Sequence, residues 1–219
     1  MTMNTLFSPR FICAFAALLL FSSVNVRAHA VWIELLNGKL VARFAEPSGN
    51  YEKSPGFLDS LSGPSAFTVV TNAPLMVETP KSTNHFAMVT ASPTNVAGVE
   101  SIFTVRAGRK PHFYARWQPA GAGAGTPMLT FDIVPTGKVG EARVYFRGQP
   151  VGGLKAVFRT PDDTEKEIAV DAEGYVRFES KQSGLHLLTI AHHRESIAGS
   201  HLGKAYQQTS HNAALSWVQ

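Results

Sequence analysis

Cysteine is nearly absent: Cys13 is the only one among 219 residues. It lies inside an apolar run near the start, so the chain beyond that run can form no disulfide, thiolate metal site or cysteine nucleophile. Charge is also sparse, at 16% of residues. Setting aside Arg10 and Arg27, which belong to the leader argued below, 18 basic residues face 16 acidic ones, a balance of +2. That leaves no electrostatic footprint for nucleic acid. Long hydrophobic runs are missing beyond the leader, and none reaches the roughly 20 residues of a membrane-spanning helix. There is no Gly-x-Ser-x-Gly elbow, phosphate loop, dinucleotide fingerprint or calcium loop, so the sequence gives no anchor for hydrolase or nucleotide chemistry. Helix signals are scarce throughout.

Arg10 followed by the apolar run Phe11 to Phe21 has the layout of a Sec-type signal peptide, which places residues 1–28 in a removed leader and the protein in the periplasm. Two cleavage registers satisfy the small-residue rule. Cutting after Ala28 leaves His29 first, and cutting after Ala30 leaves Val31 first; the former is preferred.

The remaining 191 residues, 219 less 28, carry the alternation of strands. Val31 to Leu36 and Lys39 to Phe44 are alternating runs joined by Asn37-Gly38, the dipeptide best suited to a two-residue hairpin turn. Further β runs are read at 66–71, 85–90, 101–106, 112–117, 128–134, 142–147, 155–159, 167–170, 175–179 and 185–191. So many short strands, punctuated by Gly, Pro, Asn and Asp, predict an all-β protein of two β-sandwich units, Ig-like or transthyretin-like. The small-residue stretch 121–127 is read as a linker or loop between an N-terminal β domain, 29–120, and a C-terminal sandwich, 128–219. Asp162, Asp163, Glu165 and Glu167 around Pro161 read as a solvated hairpin tip. Trp32, Trp117, Tyr145 and Trp217 read as core.

Ala28-His29-x-x-Trp32, Val144-Tyr-Phe-Arg-Gly-Gln-Pro-Val151 and Asp171-x-x-Gly174-x-x-x-Phe178 follow one another in an order that resembles the exported family called domain of unknown function 4198. It is also similar to periplasmic domains associated with nickel and other transition-metal uptake, the NikM-like group. From the start of that family's pattern, His29 and Trp32 carry over. The resemblance implies a non-enzymatic metal-uptake accessory, working with a membrane metal transporter or a TonB-dependent system.

Histidine supplies the candidate chemistry, because imidazole is the one soft ligand this chain has. Of eight histidines, His192, His193, His201 and His211 crowd between Ala191 and Asn212. In a chain beginning at His29, that residue offers both an α-amine and an imidazole. A second imidazole from His192, His193, His201 or His211 would complete a three-nitrogen site for nickel, cobalt, copper or zinc. His112 is read as facing solvent beside Tyr114 and Arg116, and His85 and His186 as incidental. Two other readings compete: a metal-free carbohydrate- or protein-binding module, and a copper-dependent polysaccharide oxidase.

Overall fold

Asn37 and Gly38 hold φ values of +51° and +75°, the left-handed pair that a tight hairpin turn requires. They join β1 (Ala30–Leu36) to β2 (Lys39–Ala45) with Leu36 opposite Lys39 and Ala30 opposite Ala45, as the alternation predicts. The computed structural model describes residues 29–46 and 50–219; the leader and both cleavage registers fall outside it, His29 and Ala30 apart. Among the described residues there is no α-helix, only a single 3-10 turn at Phe57–Ser60.

The chain continues as β3 (Ser65–Val70), β4 (Ala73–Val77), β5 (Phe86–Ala87), β6 (Ala97–Ile102) and β7 (Arg109–Trp117). After the coil that contains residues 121–127 come β8 (Phe131–Pro135), β9 (Glu141–Phe146), β10 (Gln149–Pro150), β11 (Lys155–Arg159), β12 (Glu165–Ala169) and β13 (Tyr175–Arg177). The last elements are β14 (Leu185–Glu195), β15 (Gly199–His201), β16 (Lys204–Tyr206) and β17 (Gln208–Val218).

An eight-stranded sheet, ordered β12-β11-β14-β17-β7-β6-β3-β4, forms the middle of the molecule. It draws four strands from each side of residues 121–127, and the seam is the parallel pairing of β17 with β7. Because side chains alternate across a strand, each face of this sheet carries its own core. Phe113, Ala115 and Trp117 of β7 point toward the small β1-β2-β5 sheet and pack with Ile33, Leu40 and Phe44. Ala214 and Leu187 extend that face to meet Trp32. Tyr114, Leu188, Ile190, Ala213 and Leu215 point the other way, onto Phe131, Ile133, Val144 and Val176 of the β8-β9-β10-β13 sheet. The fold is thus all-β, two sandwiches built on opposite faces of one shared sheet.

Two expectations need correction here. Tyr114 and Arg116 are buried, at 4% and 2% exposure, because the face they occupy is roofed by the second outer sheet. Arg116 is held there by Asp132, itself wholly buried: Nε and Nη2 donate to Oδ1 and Oδ2, both at 3.0 Å. Asp132 also accepts the Met128 and Leu129 amides, and Arg116 donates to the Thr126 carbonyl, so this buried pair pins the end of the small-residue stretch. The run read at 101–106 lies four residues earlier, at Ala97–Ile102. Gly98 is what hides it: the Phe67 ring lies across that glycine, where a Cβ would come within 2.4 Å of it.

Candidate functional site

The centre of the large sheet is polar where it should be apolar. Thr209, Ser210, His211 and Asn212 follow one another along β17 and all are at least 94% buried. Buried polar groups cost free energy unless they are hydrogen-bonded, and most of these are. Asn212 accepts the His192 amide through Oδ1 at 3.1 Å and donates through Nδ2 to the His112 carbonyl at 3.0 Å. It thereby closes a β-bulge, since Ile190 pairs with Ala213 but His193 pairs with His211. One extra residue is accommodated on β14, with His192 at φ +62°.

The bulge turns His193 inward, where its ring meets Phe146 at 4.6 Å and stands 6.3 Å from the ring of His211. His211 lies between Tyr114 and Glu195, with Nδ1 3.0 Å from the phenol oxygen and Nε2 3.0 Å from Glu195 Oε2. An ionised carboxylate only accepts. Nε2 therefore carries the proton toward Glu195, and Nδ1 accepts from the Tyr114 hydroxyl. Arg147 closes the chain by donating to Glu195 at 2.7 Å. Burial is the main influence on His211 and lowers its pKa despite the carboxylate; burial likewise raises the Tyr114 phenol and keeps it a donor.

His112 stacks on His211 with ring centres 5.2 Å apart. Burial, then the charge of Lys110, brings its pKa down to about 4. Three buried polar atoms around this cluster have no hydrogen-bond partner: His112 Nε2, His201 Nε2 and Thr209 Oγ1. His112 and Thr209 line a cavity of about 540 Å³, together with Lys110, Glu100, Tyr206 and Arg147.

His29 belongs elsewhere. Its ring lies 5.1 Å from Phe44 and 5.2 Å from Phe57, with Nε2 2.6 Å from Glu52 Oε1. Phe44 in turn packs on Phe113, on the face of β7 opposite His112 and Tyr114. The expected partnership of His29 with His192, His193, His201 or His211 is therefore not assembled. Within that set the structure brings together His193 and His211, while His192 faces outward on the bulge and His201 occupies the short β15-β16 hairpin. Among the described residues no group of three or more His, Cys, Asp or Glu side chains is gathered to hold a metal ion. His186, read as incidental, is fully buried, bonded to Ser180 Oγ and the Gly184 carbonyl.

Lys110, Arg147, Glu195 and Thr209 carry no expectation in the sequence analysis, which places the candidate chemistry on the histidines, and Tyr114 enters it only as a solvent-facing residue. A signal did exist in Gln208 to Asn212, a polar run abutting the alternation of Ala213 to Val218.

No family model and no curated protein matches this chain. Among solved structures it is similar to the FN1–FN3 domains of chicken CNTN1, with 7% identity and a TM-score of 0.22, over 87% of this chain. It spans 66% of the length of that chain.

Proposed function

We propose that the protein is an exported, periplasmic accessory that binds one divalent transition metal ion through His29 as its first mature residue. The observation that supports this reading is the His29–Glu52 contact. A carboxylate receiving the Nε2 proton fixes the tautomer whose lone pair is on Nδ1 and makes that nitrogen a better donor. In a chain cut after Ala28, Nδ1 and the α-amine belong to one residue, and the donor set fits copper or nickel, with cobalt and zinc weaker by the usual order. Phe44 and Phe57 flank the ring and restrict its rotation. Glu52 acts as a positioning residue, and the C-terminal histidines are not ligands in this reading. Delivery to a membrane metal transporter or a TonB-dependent system belongs to the same proposal.

The test is calorimetric titration of protein starting at His29 with Cu(II), Ni(II) and Zn(II). One added residue before His29, or His29→Ala, should weaken binding at least tenfold, and Glu52→Gln should weaken it less. Equal affinities for all of these proteins would return the function to a metal-free binding module.

A further inference from the structure

A second cavity, of about 710 Å³, opens at the C-terminal end of β17, between residues 118–122, the turn at 135–141 and residues 178–181. Its volume falls within the range that accommodates small organic ligands, roughly 300–1,000 Å³. One wall is Ala120-Gly121-Ala122, where the small-residue stretch begins. These three residues are exposed, and none has a side chain large enough to close the space in front of it.

The floor is aromatic. Trp217, expected in the core, is only half-buried, as are Phe178 and Pro119 beside it. Its indole is held in place by stacking on His186 and Phe158, with ring centres 5.2 and 6.0 Å away, and by Phe178 at 5.1 Å. The indole N–H of Trp32 is taken by Glu34 and that of Trp117 by the Pro93 carbonyl. The N–H of Trp217 meets no acceptor among the described residues and is open to solvent, so an incoming group can reach it. Trp pairs an apolar body with one polar donor in this way wherever one side of it stays wet.

The rim carries no net charge. Lys138 and Lys181 stand against Glu141 and Glu179, two of each sign, and Glu141 is already met by Lys138 and Arg177. Glu179, Lys181 and Gln219 are exposed, which leaves a carboxylate, an ammonium and an amide reachable for hydrogen bonds with hydroxyl groups. An aromatic floor below a neutral, hydrogen-bonding rim suits a molecule with an apolar face and a polar edge. A pyranose is built that way, with C–H bonds on its faces and hydroxyls around the ring.

We infer that this cavity binds a short neutral oligosaccharide, with one ring against Trp217 and Phe178, an oxygen accepting the Trp217 N–H, and hydroxyls on Glu179, Lys181 and Gln219. It shares no residue with the His29 site.

Titration calorimetry of the chain starting at His29 with maltotriose, cellotriose and xylotriose tests it. Indole serves as an apolar ligand without hydroxyls, and trigalacturonate as a charged sugar of the same length. At least one neutral trisaccharide should bind, indole should bind at least tenfold more weakly, and trigalacturonate should bind no more tightly. That sugar should also change the tryptophan emission through Trp217, since Trp32 and Trp117 are each 2% exposed. Trp217→Phe should abolish the change and weaken binding at least tenfold. Ala122→Trp fills the open wall and should weaken binding at least tenfold with the thermal midpoint unchanged. His29→Ala should bind the sugar as wild type does, so failure of the metal reading is seen separately. Absence of binding by all three neutral sugars, tighter binding of indole or trigalacturonate, or wild-type affinity in Trp217→Phe or Ala122→Trp would each overturn the assignment.

Discussion

Arg116 and Asp132 face each other across two 3.0 Å hydrogen bonds, with the arginine 2% exposed and the aspartate fully enclosed. The pair ties β7 in the shared sheet to β8 in the outer one. Removing one member of a buried pair strands the other charge, at a cost of about 3–5 kcal/mol. Arg116→Ala should therefore shift the urea midpoint by an amount corresponding to that range. The double replacement Arg116→Met with Asp132→Leu should cost less than the single one, since no charge is left unpaired. A single variant within about 1 kcal/mol of wild type would remove the pair from the stabilising contacts.

The Asn37-Gly38 turn gives a cleaner case, because a Cβ added at Gly38 would meet nothing within 4 Å. Whatever Gly38→Val costs comes from its φ of +75° and not from a clash. A loss of roughly 1 kcal/mol or more is expected. An unchanged denaturation midpoint would show that the turn does not set the hairpin register.

Acid should unfold the molecule earlier than its carboxylates alone require. His112 in the folded chain titrates near pH 4, against about 6.5 in an unfolded one. The unfolded state therefore takes up a proton first as pH falls. Stability is fully present above about pH 6.5 and is lost progressively down to about pH 4. His193 and His211 are shifted in the same direction, mainly by burial. Urea midpoints at pH 8, 6 and 5 should fall in that order, and His112→Gln should flatten the decline. A wild-type midpoint constant from pH 8 to 5 would contradict the burial of these imidazoles as neutral groups.

Hairpins were legible because their information is local. Asn37-Gly38 fixed β1 against β2, and the run Lys155–Arg159 coincides with β11. The most central strand was not. β17 begins with five polar residues, Gln208 to Asn212, and its first half shows no apolar alternation, because its buried polar groups are met by Tyr114, Glu195 and the His112 carbonyl on other strands. The same reason defeats the reading of β7. His112, Tyr114 and Arg116 alternate with Phe113, Ala115 and Trp117 as an amphipathic strand does, and only tertiary structure discloses a second roof over the polar side. Of the five candidate histidines, the clustering near residue 211 was visible in sequence. Which of them share a face was not, since the bulge at Ile190–His193 resets the register.

The parallel seam has a consequence for how the molecule is made. β17 lies between β14 and β7, pairing His112 with His211 and placing the Asn212 side chain on a carbonyl 100 positions earlier. Strands near each other in the chain can form hairpins early, but this closure spans about half the polypeptide. Loop entropy must be overcome before the contact gives any return, so such pairings are slow. Until β17 arrives, β7 and β14 each present a bare edge, and the two hydrophobic faces have no common floor. Two of the residues that line the cavity, Thr209 and His211, thus reach their places only as this pairing forms. The cavity and the sheet are therefore completed together.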